Sequence, residues 1–223
     1  MADPSQAEAM VEYAMMATLW LHRRMPHYQD SQCQLIWAPQ PAVRTSEHRA
    51  CVLGLGEFGS RIAQRLRDFG FETHGWSRTP KILDGIACYT GRKGLASALQ
   101  RCNYLICVLP LTSETAGILN AETLALLPRG ACIINMGRGA HIVDADLLSA
   151  LDSGHIGGAI LDVFNHEPLP NDHPYWRHPK VLVTPHIAAE LYPPTAAGAV
   201  AENIRRMQVG LPLQHVFDRA RGY

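Results

Sequence analysis

At 223 residues and 47% hydrophobic content, the chain suits one large α/β domain or one and a half smaller ones, and two full domains would be cramped. Its 20 basic and 20 acidic residues cancel, and no Lys/Arg run or basic helix face stands out, which argues against nucleic acid or anionic membrane as partner and for a small-molecule ligand. Six cysteines, Cys33, Cys51, Cys88, Cys102, Cys107 and Cys132, fall partly inside apolar runs and form no C-x-x-C pair; with no signal peptide or membrane-length apolar run, the expectation is a reducing, cytoplasmic setting.

In chain order, residues 5–24 read as a helix. Ser5 and Glu8 can form a capping box, and Met10, Val11, Ala14, Met15, Thr18, Leu19 and Leu21 follow at helical spacing. The apolar residues wrap most of its circumference, so it should need partners on several sides, such as a second domain or subunit. From Met25 to Arg49, Pro26, Pro39 and Pro41 break any period, and this stretch reads as a wrapping connection. The segment ACVLGLGEFG from Ala50 to Gly59 is a buried strand entering a glycine-rich turn. An amphipathic helix follows over Ser60–Phe69, facing inward on Ile62, Ala63, Leu66 and Phe69 and stopped by Gly70. Strands are expected at 71–76, 87–90, 104–109, 131–135, 158–163 and 181–184, with helices at 95–101, 122–127 and 145–151 among them. A last helix, 194–209, should face inward on Ala197, Val200, Ile204 and Met207. Alternating helices and continuously apolar strands specify an α/β fold, a doubly wound parallel sheet of Rossmann type.

Within the turn, Gly54, Gly56 and Gly59 stand at G-x-G-x-x-G spacing. The first permits the tight turn, the second lets backbone approach a pyrophosphate, and the third lets helix and strand pack closely. The flanking strand, helix and sheet pattern make this a dinucleotide site. In NAD-specific versions an acidic residue about 20 positions on takes the ribose hydroxyls. Here the second strand ends in Trp76-Ser77-Arg78-Thr79, with Lys81 close behind. Arg78 offers a planar fork of donors, Ser77 and Thr79 hydroxyls, and Lys81 a charge, so NADP(H) is expected over NAD(H).

Three later patterns each put one ionisable group just past a strand, where open α/β sheets place ligands: 135–139 carries Arg138, 161–168 carries Glu167, and 184–189 carries His186. Arg138 could clamp and polarise an α-keto acid, His186 could protonate the developing alkoxide, and Glu167 could hold the imidazole. The hydride of such a reduction would come from the nicotinamide. His166, His173, His178 and His186 fit no common zinc spacing, so no metal is expected. The nucleophile elbow G-x-S-x-G of a Ser-His-Asp hydrolase is missing.

The stretches GLGEFG, WSRT, CVLPLTSETAGILN, INMGRGAHIVDADLLSAL, AILDVFNHEPLP, HPYWRHPKVLVTPHIAAE and DRARGY strongly resemble the D-isomer-specific 2-hydroxyacid dehydrogenases, in their glyoxylate/hydroxypyruvate reductase branch. The resemblance implies that Arg138, Glu167 and His186 are the catalytic Arg, Glu and His. It implies cofactor contacts at Leu109, Pro110, Leu111, Asn135, Met136, Gly137, Ala188 and Ala189, with Asp162 near the nicotinamide amide, and Phe58 in the glycine turn joins them. NAD-dependent phosphoglycerate or formate dehydrogenases are disfavoured by Arg78.

Relative to that family, 1–49 reads as an interdomain helix and wrapping connection, and 50–190 as the dinucleotide-binding domain. Residues 191–223 read as a C-terminal helix and tail that would pack on a substrate domain, most of which is expected to be absent. Two functions are therefore expected: NADPH-dependent reduction of glyoxylate, hydroxypyruvate or another small 2-keto acid by a homodimer, or a non-catalytic dinucleotide-binding and dimerising module.

Overall fold

The computed structural model describes residues 4–189, 193–214 and 216. Seven strands, β1 (Arg49–Leu53), β2 (Glu72–Trp76), β3 (Ala87–Tyr89), β4 (Tyr104–Cys107), β5 (Ala131–Asn135), β6 (Ile156–Leu161) and β7 (Val181–Val183), form one sheet. Their order is β3-β2-β1-β4-β5-β6-β7 and every pair is parallel. Seven helices surround it: α1 (Pro4–His22), α2 (Met25–Cys33), α3 (Glu57–Phe69), α4 (Gly91–Leu99), α5 (Ala121–Leu124), α6 (Asp144–Asp152) and α7 (Pro193–Gln208). Strand order reverses between β1 and β4, so the crevice above their carboxyl ends is the ligand position this topology creates.

The strands are apolar along their length because both sheet faces are covered. One core joins Leu53, Leu105, Ile133 and Leu161 to Leu99, Leu147 and Leu151 of α4 and α6. The other joins Val52, Ile106, Ile134 and Ile160 to Ile62, Ala63 and Leu66 of α3 and to Met10, Ala14 and Ala17 of α1.

Three expectations are corrected here. First, α1 is a core element of this same domain: Ala7, Ala14 and Ala17 are fully buried, small enough to bring the helix close to α3 and the sheet. It begins at Pro4, which places Ser5 inside the first turn. Second, residues 25–33 are helical. Arg24, in the left-handed conformation (φ 57°), ends α1, and Pro26 opens α2 at a position that needs no N–H. Third, the expected inward face of α7 is exposed, with Val200 and Ile204 each at 48% and Met207 at 65%. The closing DRARGY lies outside the described residues.

The glycine turn depends on one close approach. Helix α3 begins at Glu57, inside the motif, and a Cβ at Gly59 would lie 1.6 Å from the carbonyl oxygen of Gly54. Gly59→Ala must therefore push helix and strand apart, at about 1–3 kcal/mol. We expect a melting temperature lower by roughly 2–10 °C for a chain of this size; a calorimetric melt matching wild type would refute this account of the turn.

Candidate active site

The crevice starts with the three glycines. Gly54 has φ 102°, donates its N–H to the Trp76 carbonyl at 2.8 Å, and has its α-carbon against the Val108–Leu109 backbone. Gly56 is the N-cap of α3 with no side-chain cap, and a Cβ there would meet nothing within 4 Å. An uncapped helix N-terminus facing open space is a cradle for an anion. Glu57 is exposed and lies 3.8 Å from Arg61, and Phe58 is half-buried.

At the end of β2, the four residues expected to read the cofactor divide. Trp76 is buried in the core and donates Nε1–H to the Gly91 carbonyl at 2.9 Å. The Ser77 hydroxyl is buried and donates to the Thr79 carbonyl at 2.8 Å, tightening the turn. Neither Trp76's ring nor Ser77's proton is presented outward. Arg78, Thr79 and Lys81 are exposed on the rim.

Beyond β4 and β5, the loops are tied by buried polar groups. Leu109 is buried, Pro110 half-buried and Leu111 exposed. Fully buried Asn135 accepts the Gly137 N–H at 3.2 Å and donates to the Arg138 carbonyl at 3.0 Å. Met136 packs into the α1–α3 core. His141, also fully buried, accepts the Arg138 N–H on Nδ1 at 3.1 Å, and its Nε2–H lies 3.3 Å from the Pro110 carbonyl. Burial, then the Arg138 charge, lowers its pKa and favours this neutral tautomer. The Arg138 side chain is exposed and donates to the Gly137 carbonyl at 2.6 Å. A Cβ on Gly139 would fall 1.9 Å from the Phe164 carbonyl carbon, so the Arg138 loop is pressed against the loop that carries Glu167.

Past β6 and β7, Asp162 is fully buried and uses both oxygens. Oδ1 accepts the Thr184 hydroxyl at 2.5 Å and the Ile187 N–H at 2.9 Å, and Oδ2 accepts the Ala188 N–H at 2.9 Å. Because Thr184 donates to Asp162, the Tyr13 hydroxyl 2.6 Å away donates to Thr184. Burial, supported by the Asp162 charge, raises the Tyr13 pKa and keeps this phenol protonated. Asp162 thus anchors the 184–188 loop. Ala188 is buried and Ala189 half-buried behind that loop.

On the anchored loop His186 adopts φ 58°, and its Nδ1 lies 2.8 Å from Glu167 Oε2. Glu167 Oε1 accepts the Phe164 N–H at 2.9 Å. Burial pushes the Glu167 carboxyl up, but hydrogen bonds from His186 and Phe164 and the charges of His186 and Arg138 together hold it below its ordinary value. The structure therefore joins two of the three expected ionisable groups directly and brings the third within electrostatic reach. His141, Thr184, Tyr13 and Gly139 were not singled out from sequence. The spacing of His141 to Arg138 within GRGAH was the available signal for the first; the others depend on packing. Among the described residues no group of three or more His, Cys, Asp or Glu could hold a metal ion.

A glycine-rich turn at a topological switch point, with a histidine held by a carboxylate at the same edge of the sheet, defines a dinucleotide-dependent oxidoreductase domain. Residues 15–188 match the family described as D-isomer specific 2-hydroxyacid dehydrogenase, NAD binding domain, and the chain belongs to that family. It is 42% identical over 221 residues to glyoxylate/hydroxypyruvate reductase A of Salmonella typhimurium, covering 99% of this chain and 71% of that protein. A D-isomer specific 2-hydroxyacid dehydrogenase from Xanthobacter autotrophicus Py2, solved with NADPH and MES, superposes with a TM-score of 0.97 at 43% identity, over 100% of this chain and 92% of that one. The NADPH-dependent glyoxylate/hydroxypyruvate reductase of Sinorhizobium meliloti, solved with NADP and sulfate, gives 0.97 at 36% identity, over 100% and 72%.

If Asp162 and Thr184 hold the loop as described, Thr184→Val removes one of the two donors to Asp162 Oδ1 and leaves the Tyr13 hydroxyl without its acceptor. The expected loss is about 1–3 kcal/mol, read from urea denaturation midpoints, and unchanged midpoints would show that the chain Tyr13–Thr184–Asp162 does not support the fold.

Proposed function

We propose that this protein reduces a small 2-keto acid, glyoxylate or hydroxypyruvate, to the 2-hydroxy acid with NADPH. The observation that carries the reading is the Glu167–His186 pair, 2.8 Å apart at the carboxyl edge of the sheet, the edge that also carries the open glycine turn; relatives named as glyoxylate/hydroxypyruvate reductases support the substrate class. NADPH, when bound, supplies the hydride.

The residues of this chain do the rest. Gly54, Gly56, Phe58 and Gly59 accept the pyrophosphate on the α3 terminus. Arg78, Thr79 and Lys81 take the 2′-phosphate, and Leu109 to Leu111, Asn135 to Gly137, Ala188 and Ala189 line the remaining path. Arg138 binds the substrate carboxylate and polarises the ketone, as a planar cation suits. His186 gives its Nε2 proton to the developing alkoxide. Glu167, accepting from Nδ1, fixes the ring and stabilises the imidazolium before the proton leaves.

The remaining assignments rest on exposure. Residues 50–190 would form the cofactor domain, with α1 of the 1–49 segment packed into its core and the rest of that segment as a connection. The uncovered face of α7, with Val200, Ile204 and Met207, would meet a substrate domain of the kind its longer relatives have room for. Leu35 and Trp37, 94% and 95% exposed, suit a homodimer contact. No helix among the described residues is long and apolar enough to cross a membrane, in keeping with a cytoplasmic placement. The bare α7 face favours one second reading, a cofactor-binding module without turnover. NADPH consumption with glyoxylate and with hydroxypyruvate decides between them: turnover with either supports the reductase, and tight NADPH binding with no turnover supports the module.

Within the reductase reading, His186→Asn should lower kcat by about 10²–10⁴ with the NADPH Kd unchanged, and a kcat within threefold of wild type removes His186 from the proton step. Because the Glu167 pKa is depressed in the folded state, its contribution to stability is present above the unfolded carboxylate value of about 4.3 and is lost as pH falls through the lower folded value. The stability gap between wild type and Glu167→Gln should accordingly close in acid; a gap independent of pH contradicts the assignment. Arg78→Ala should weaken NADPH binding about 10- to 100-fold, the worth of a charge-assisted contact, and leave NADH binding alone. Equal effects on both cofactors would show that Arg78 does not read the 2′-phosphate.

A further inference from the structure

At the amino ends of the strands, on the edge opposite the glycine turn, lies a crevice of about 490 Å³. It is walled by the end of α1, the α1–α2 junction, the segment around Gln40–His48, and the starts of β4, β5 and β6. Arg24, Arg129, His22, His27 and His48 all line it, and no Asp or Glu does. In a chain whose 20 basic and 20 acidic residues balance, so one-sided a lining is a local electrostatic choice.

Neither arginine makes an ion pair among the described residues. Arg24 donates to Gln40 Oε1 at 3.1 Å, and Arg129 to the Ser153 carbonyl at 3.1 Å. The Gln40 amide in turn donates to His27 Nε2 at 3.1 Å, so Gln40 links Arg24 and His27 on one wall. On the other wall the His22 ring lies edge-on to His48, centroids 5.2 Å apart, and His48 stacks on Tyr104 at 5.7 Å. His22 Nδ1 is 3.1 Å from the Tyr104 hydroxyl. Burial, then the neighbouring His48, Arg23 and Arg24, lowers the His22 pKa and favours its neutral ring.

Arg24 and Arg129 line one cavity without a carboxylate, and an anion placed there compensates their charge while accepting charge-assisted hydrogen bonds. We propose that this crevice is a second ligand site, distinct from the candidate active site, which binds a compact dianion: a phosphate group or a short dicarboxylate. Such a ligand would bridge the α1–α2 junction and the Gln40–His48 segment to the sheet edge. The inference does not rest on the reductase reading.

The test uses protein saturated with NADP+, so that a phosphate cannot report from the glycine turn. Inorganic phosphate and malonate are titrated separately at constant ionic strength, while NMR follows the imidazole resonances of His22, His27 and His48. We expect saturable shifts of these rings with at least one probe, and an affinity at least about tenfold weaker in the double variant Arg24→Gln/Arg129→Gln, whose NADP+ affinity is unchanged. Which probe binds identifies the anionic group. Rings unmoved by both probes, or equal affinity in the double variant, overturn the proposal. Should the double variant lose NADP+ binding, the wild-type imidazole titration decides alone; should wild type fail to bind NADP+, the same rings still tell whether phosphate sits in this crevice.

Discussion

The buried Asp162 carboxylate is the constraint on which the catalytic edge depends. A charge removed from water is costly unless it is hydrogen-bonded on all sides, and this one is met by three donors, the Thr184 hydroxyl and the N–H groups of Ile187 and Ala188. Its place is set by the sheet: Leu161 pairs with Val183, and the Asp162 N–H donates to the Asn135 carbonyl at 3.0 Å. Parallel register therefore puts the acceptor directly beside the loop it organises. With backbone pinned on both sides, His186 is left in a left-handed conformation (φ 58°) that costs a non-glycine residue on the order of 1–2 kcal/mol. That strain persists because the anchors outweigh it.

The same logic joins the other loops. His141 connects the Pro110 loop to the Arg138 backbone, and Gly139 leaves no space between the Arg138 loop and Phe164. Glu167 reaches back to the Phe164 N–H with one oxygen and out to His186 with the other. Four loops from four strands, β4 to β7, thus form one assembly. Preorganised dipoles of this kind stabilise developing charge without reorganising during the reaction. Tyr13 extends the assembly to α1, 171 residues away in sequence, which ties the helix at the start of the chain to the loop near its end.

Much of this was legible in the sequence because buried parallel strands leave unbroken apolar runs, and ligands gather where such runs end. The glycine turn and the set Arg138, Glu167 and His186 could be located by that rule alone. What escaped did so for physical reasons. Helix α2, MPHYQDSQC, buries only Ser31, so it has no apolar period to detect. The α7 pattern was apolar on one face, but periodicity says that a face is apolar and not what covers it. The anchoring of the 184–188 loop by Asp162 escaped because a sequence cannot show which donors meet its two oxygens. His141 was one of 11 histidines, and only its burial between two carbonyl-bearing loops separates it from the rest.

This distribution of rigidity has a consequence for how the two halves of the site can vary. The turn after β2 is fixed from within, by Ser77 on the Thr79 carbonyl and Trp76 on Gly91, while the residues that face outward, Arg78, Thr79 and Lys81, sit on its exposed rim. Side chains on that rim can therefore be exchanged without touching the core. The edge that carries Glu167 and His186 is the reverse. Its groups are held by buried carboxylate, imidazole and amide contacts, so a change at Asp162, Asn135 or His141 alters loop geometry first. The outer face of the β2 turn is the adjustable part of this fold, and the Glu167–His186 geometry is the part that the core enforces.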